Sequence, residues 1–319
     1  MQQIKTDPPT DFKFIPSDVV PFKDRELCER LRKISGKDLE KHPNPDFKIK
    51  VMLNPHPVLI GTLFTRIKES DEQDKKLTLI LGNPEPDTYL PVAQLINYHR
   101  INCRNVHIFA MDEWADDAGN IAPETYKAGF ARSLLKYFVY QIDEDLRMPL
   151  ANVHYPTNKN ISSYSKMITE CGEGGADLCS SSPGWTGHLA FIDPVDEFIM
   201  DNMDEYLQQE AKIIKLHPLT VAQNSLHGVF GQSGYIADVP PKAATIGPVD
   251  VLNARERIEV HSLLTNGTFS SWQRMTSRLV LHGPVTALVP SSILQLMKTQ
   301  VYVSEELAAP FEAWDLVGY

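Results

Sequence analysis

Two short stretches of this chain place proton-transfer groups at usable spacings. The first is Met111-Asp112-Glu113-Trp114, two adjacent carboxylates directly after the apolar run Asn105–Ala110. On an extended segment neighbouring side chains point to opposite faces. Only one of Asp112 and Glu113 can therefore face a cleft, and the other is left to pair or to cap. The second stretch runs from Ser180 to Pro194. A turn of small residues containing Gly184 and Gly187 leads to a single His188, and five residues later Asp193 precedes a proline. An imidazole near a carboxylate suits proton transfer, because its pKa is readily placed near neutrality. A third stretch, Leu81-Gly82-Asn83-Pro84-Glu85-Pro86, joins a strand to a helix, where backbone N–H groups can face an anion. By itself it equally fits an ordinary connection. A fourth, His217-Pro218-Leu219-Thr220 followed by Gln223-Asn224-Ser225, is polar enough to line a cleft but specifies no chemistry.

These stretches are positioned by an alternation of strands and helices. The pattern predicts strands over Lys48–Leu53, Leu77–Leu81, Asn105–Ala110, Ala176–Ser180, Ala211–Leu216, Ala243–Ile246, Ile258–Leu264, Val285–Val289 and Gln300–Val303. It predicts helices over Glu26–Ile34, Pro57–Lys68, Asp87–Tyr98, Pro123–Val139, Ser162–Cys171, Val249–Arg255 and Ser270–Leu281. Proline in the first turn favours the second and fourth of these. Strands this poor in polar residues are buried on both faces, with helices covering them. The expected fold is therefore α/β, a doubly wound, mostly parallel sheet with helices on both faces. In such folds ligands bind outside the carboxyl ends of the strands, which is where the four stretches fall. Residues 1–47, broken by Pro8-Pro9, Pro16, Pro21, Pro43 and Pro45, read as an N-terminal extension preceding a single domain over residues 48–319. Its anchors Phe12, Phe14, Ile15 and Phe22 suit packing on the body or on a neighbouring subunit, hence an expected homo-oligomer.

The composition narrows the function. Among 319 residues, 31 Lys and Arg stand against 41 Asp and Glu, a formal charge of -10. That argues against a nucleic-acid partner, which calls for a basic face. No apolar run is long enough to span a bilayer, and the N-terminal sequence does not read as a secretion signal. Four isolated cysteines, Cys28, Cys103, Cys171 and Cys179, form no CxxC pair and fit reduced thiols in the cytoplasm. There is no GxGxxG, Walker A loop or HExxH, and Gly231-Gln232-Ser233-Gly234 lacks the last glycine of a nucleophile elbow. Neither metal nor organic cofactor is expected. The sequons at Asn160 and Asn266 have no secretion signal behind them.

The first and second of these stretches together resemble the glucosamine-6-phosphate deaminase/isomerase family, which shares a fold with 6-phosphogluconolactonases. The resemblance spans about Phe47 to Val303. It rests on Asn105–Trp114, on Pro123-Glu124-Thr125-Tyr126, on Gly187-His188-Leu189-Ala190-Phe191-Ile192-Asp193-Pro194, and more loosely on Gly82 through Tyr89. It implies that Asp112 is the general base moving a proton between C1 and C2 of an open-chain amino sugar. It implies that His188 assists ring opening and that Asp193, in place of a family Glu, orients His188. The substrate-binding candidates are Gly82, Asn83, Glu113, Gly184, Thr186 and Gly187.

The chain also departs from the pattern. Thr186 replaces an Asp before the Gly-His pair, and Ser181-Ser182 replaces a glycine pair. Leu81-Gly82-Asn83 stands where Thr-Gly-Gly is typical, and Asp196 where a phosphate-contacting Ser is. Leu226 stands where an Arg is expected, and Thr268 and Phe269 near an expected basic residue. A phosphate monoester prefers Arg or Lys partners. Lys242, Arg274 and His227 are the replacement donors the sequence offers.

The expected function is thus an isomerase- or deaminase-type enzyme acting on a small sugar or sugar phosphate, with an atypical phosphate site. Two alternatives stay open: a non-catalytic sugar-binding or regulatory protein on the same scaffold, and a lactonase-type hydrolase in which His188 activates water.

Overall fold

The computed structural model describes residues 13–262 and 272–311. Along the chain, α1 (Arg25–Leu31) and β1 (Phe47–Met52) lead to α2 (His56–Glu72), β2 (Leu77–Leu81), α3 (Pro86–His99) and β3 (Val106–Ala110). β4 (Asp112–Ala115), α4 (Phe130–Tyr137), β5 (Val153–His154), α5 (Tyr164–Cys171) and β6 (Leu178–Ser181) follow. Then come α6 (Met203–Leu207), β7 (Lys212–Lys215), α7 (Pro218–Asn224), β8 (Lys242–Thr245) and α8 (Pro248–Asn253). β9 (Glu256–His261), α9 (Gln273–His282), β10 (Thr299–Ser304) and α10 (Glu305–Ala308) complete the described order.

The main sheet has the order β1-β10-β9-β6-β2-β3-β5, and every pairing in it is parallel. It is the α/β architecture expected from the alternation. The apolar run of β2 shows why both faces must be covered. Leu77, Leu79 and Leu81 enter one core with Leu63 and Ile67 of α2 and Val92 and Ile96 of α3. Ile80 enters the other, with Ile168 of α5, Val251 of α8 and Val280 of α9. At the edge, β1 alternates buried Phe47, Ile49 and Val51 with exposed Lys48 and Lys50, charges that discourage further strand pairing.

Four differences from the sequence reading bear on the site. Asp112-Glu113-Trp114, read only as an extended segment following a strand, is strand β4, and with β8 and β7 it forms a separate antiparallel sheet. The predicted strands near residues 211–216 and 243–246 exist but belong to this small sheet, since antiparallel pairing cannot be read from apolar runs alone. The predicted helix Pro123–Val139 shrinks to Phe130–Tyr137. The Glu113 carboxylate accepts from the N–H groups of Phe130 and Ala131 and so fixes a later start. Val285–Val289 makes only an isolated bridge between Thr286 and Val289. The predicted helix Ser270–Leu281 is present in α9 from Gln273 onward, while Leu264, Ser270, Thr268, Phe269, the Asn266 sequon and Phe12 lie outside the described residues. In the described part of the extension, Leu31 and Leu39 are buried and Phe22 packs on the main core. No helix among the described residues is long and apolar enough to cross a membrane.

Candidate active site

The carboxyl ends of four parallel strands open onto one cavity of about 170 Å³. Gly82 and Asn83 follow β2, Met111 and Asp112 follow β3, Ser182 to Gly184 follow β6, and Ser262 follows β9. The cavity takes further walls from α2, α3 and the segment around His188.

His188 is buried, and its ring is held from one side. Nδ1 lies 3.1 Å from Asp193 Oδ1, 3.1 Å from Thr220 Oγ1 and 3.2 Å from Thr186 Oγ1. Both threonine hydroxyls donate to Asp193 Oδ1, at 2.9 and 2.8 Å, and the His217 N–H donates to Oδ2 at 3.0 Å. Opposed by its burial but favoured by His188 and these donors, the Asp193 carboxyl is held below the usual carboxylate range. A carboxylate with this many donors is an acceptor, so the network assigns the ring proton to Nδ1 and leaves Nε2 as the acceptor. Two glycines make room for the ring. A Cβ on Gly184 would come within 1.9 Å of His188 Nε2, so the imidazole occupies the place of a side chain there. Gly187 has φ +76, and a Cβ on it would strike Val289 Cγ1 at 2.6 Å.

Asp112 and Glu113 divide their roles as the strand geometry requires. Asp112 lines the cavity and is buried, and burial with the neighbouring Glu113 pushes its carboxyl up to about 8. Glu113 points the other way and is fully enclosed. Its carboxylate accepts from the N–H groups of Trp114, Phe130 and Ala131 at 2.8, 3.2 and 2.8 Å, capping α4. Glu113 is therefore not in the cavity wall, in contrast to its place among the substrate-binding candidates. Thr186 and Gly187 also lie outside the lining, the first bonded to the His188–Asp193 pair and the second beneath it. Gly82, Asn83 and Gly184 are in the lining with Asp112 and His188, and Asp193 stands one bond behind the imidazole.

The small sheet ties the two reactive loops together. Thr245 of β8 lies directly opposite Asp112, its Oγ1 accepts from the Phe191 N–H at 3.1 Å, and Ile246 N–H donates to Met111 O. Thr245, His56 and Trp272 were not singled out from the sequence, and Thr220 and Glu85 entered only as members of polar stretches; all of them bond to the network or line the cavity. Of the replacement donors, His227 is in the lining. Lys242 sits on β8, and Arg274 donates to the Glu306 carbonyl at 2.7 Å, so neither reaches the cavity. Asp196 is exposed and outside the lining, so it does not act on a ligand there.

Beneath the Ser180–Ser182 turn lies a second buried pair. Ser181 Oγ donates to Glu259 Oε2 at 2.6 Å, while Glu259 Oε1 and His261 Nε2 face each other at 3.7 Å without a hydrogen-bond partner. Burial pushes the Glu259 carboxyl up to about 8 and the His261 imidazole down to about 3, so both are neutral. Among the described residues, no three His, Cys, Asp or Glu side chains gather to hold a metal.

No family model matches the chain. Curated glucosamine-6-phosphate deaminases do. That of Caenorhabditis elegans is 26% identical over 252 residues, covering 76% of this chain and 82% of its own. That of Corynebacterium efficiens is 25% identical over 245 residues, covering 75% and 84%. Among solved structures, a monomeric glucosamine-6-phosphate deaminase superposes with a TM-score of 0.64 at 18% identity, over 82% of this chain and 98% of its own. The 6-phosphogluconolactonase of Thermotoga maritima gives 0.54 at 14% identity, over 81% and 99%. The chain is thus similar in sequence to glucosamine-6-phosphate deaminases, and it carries the fold that a solved deaminase and solved 6-phosphogluconolactonases share.

Proposed function

We propose that the chain is an enzyme that moves a proton between C1 and C2 of an open-chain sugar or amino sugar, at a site whose phosphate-binding positions depart from those the resemblance implies. The observation that supports this most is that Asp112 and His188, on separate loops, line one cavity. The reading assigns Asp112 as the base that takes the proton beside the carbonyl or iminium carbon and returns it to the adjacent carbon. His188 Nε2, its Nδ1 tied to Asp193, exchanges a proton with the ring hydroxyl as the sugar opens. Gly82, Asn83 and Gly184 contact the substrate.

Asp112→Asn tests the assignment cleanly. The folded protein favours the neutral acid at this position, so the neutral amide preserves the packing. Loss of the base should lower turnover by about 10²-fold or more, read as ammonia release or as solvent deuterium entering the sugar, with the melting temperature little changed. Full activity in the variant removes Asp112 from this role.

A lactonase reading has one observation in its favour, an imidazole acceptor at the cavity backed by a carboxylate, which also suits activation of water. Acid release from sugar lactones in a pH-stat, without ammonia release from amino sugars, would select it.

A further inference from the structure

The chemical character of the cavity wall identifies the class of sugar it takes. Its ionisable side chains are the carboxyls of Asp112 and Glu85 and the imidazoles of His56, His188 and His227. Among the described residues no lysine or arginine lines it. The nine residues between Ser262 and Trp272 contain no basic residue, and outside the described residues the only Lys or Arg is Lys5.

His56 and His227 do not compensate. His227 is enclosed, which pushes its imidazole down to about 4, and its Nδ1 lies 3.3 Å from the Asn83 amide nitrogen, a donor. It is a neutral acceptor at physiological pH. His56 is shifted down as well, by burial.

At the start of α3, in the stretch Gly82–Glu85 that follows β2, the chain supplies its own acid. Glu85 immediately precedes the first residue of the helix, lines the cavity, and is open to its solvent. A helix N-terminus with adjacent N–H groups would otherwise attract an anion. Here a second anion would meet a resident carboxyl, which enclosure by its neighbours and the nearby Asp87 push up to about 7, so that it bears its charge for the most part only above that pH.

Two side chains of the cavity wall carry neutral hydrogen-bonding nitrogens that have no partner among the described residues. His56 Nε2 and Trp272 Nε1 are buried without partners, and both side chains line the cavity. One accepts or donates and the other donates, which suits hydroxyl groups, since each hydroxyl does both. Trp272 stacks on Trp185, with centroids 5.9 Å apart and planes 22° apart, giving an aromatic wall suited to the C–H face of a sugar ring.

We infer that the cavity selects an unphosphorylated sugar, a neutral or ammonium-bearing polyol, over its phosphate monoester, and that Glu85 is the specificity-determining residue. This rests on the reading of the cavity as a sugar site, and it does not depend on the chemistry performed there. Free hydroxyls bond where relatives would be expected to hold a phosphate, and Glu85 accepts from one of them.

The test is calorimetric titration of the Asp112→Asn protein at pH 7.5, with D-glucosamine and with D-glucosamine 6-phosphate. It is repeated in the Glu85→Gln and Glu85→Lys backgrounds, and deuterium exchange is followed in the unsubstituted enzyme. The free sugar should bind about tenfold or more tightly than the 6-phosphate, Glu85→Gln should narrow the gap, and Glu85→Lys should reverse it, as removal and inversion of a like-charge contact require. Equal or tighter binding of the 6-phosphate to the Glu85-containing protein overturns the inference. The reading of the site as catalytic fails separately, if the free sugar binds without exchanging deuterium. If neither sugar binds, both fall.

Discussion

At the residue scale, what distinguishes this site is that its two proton carriers are prepared in opposite ways. Asp193 is an anion saturated with donors, and it hands a fixed orientation to His188. Asp112 has a neighbouring carboxylate and little solvent, so its neutral form is favoured up to about pH 8. A base held at that value works only once deprotonated. kcat/KM should therefore climb as pH rises from 6 to about 8 and level off above it, whereas an ordinary carboxylate would already be flat. A profile flat from pH 5 upward would contradict this. The stability consequence has the opposite sign to that of a paired carboxylate. In the unfolded chain Asp112 ionises near 4, so its contribution to folding falls as pH rises from about 4 to about 8. Asp193 does the reverse, stabilising above the unfolded value and losing that stabilisation as pH falls through its lowered folded value. Asp112 and His188 were legible because strand-end position and residue type point the same way. Thr220 was not, because it donates to Asp193 across 27 residues and only the folded chain reveals that contact. Glu85 was visible only as one letter of a connection.

At the scale of elements, β4 settles which of two adjacent acids does what. Its alternation sends Asp112 to the cavity and Glu113 under α4, as period-two geometry demands. The segment was read as extended but not as a paired strand, because its partner β8 lies far along the chain and antiparallel pairing leaves no local mark. The predicted long helix failed for a related reason: its start is set by Glu113, a cap that comes from another element. Glu113→Gln should have two separable effects. Burial pushes the Glu113 carboxyl up to about 7, and above that pH loss of the charged cap should cost about 1 kcal/mol, seen as a lower midpoint in denaturant. Removing a negative neighbour should make Asp112 easier to ionise, shifting the rising limb of the activity profile to lower pH. A lowered midpoint with an unmoved limb would mean that Glu113 does not reach Asp112 electrostatically.

At the scale of the whole molecule, the parallel sheet and its two cores followed from apolar runs, and the packing of the extension did not. Its described part is held by Arg278, a fully buried residue of α9 that donates to the carbonyls of Ile34, Arg274, Leu307, Ala308 and Ala309. With no carboxylate bonded to it, burial lowers its guanidinium to about 10, yet it remains charged at neutral pH. Arg278→Met keeps the length and removes the donors, leaving buried carbonyls unsatisfied. It should lower unfolding free energy by about 3 kcal/mol or more, with activity per folded molecule retained because Arg278 is outside the cavity. An unchanged midpoint would show that the carbonyls find other partners.

Thr245 carries a consequence for how this scaffold can change. One strand residue faces Asp112 with its backbone and receives the His188 loop with its hydroxyl. The gap between the two proton carriers is thus gauged by a third party that belongs to neither loop. Exposed stretches such as 231–238 can be lengthened or rewritten over generations while that gauge keeps its setting. Substrate preference is free to drift around a fixed working distance.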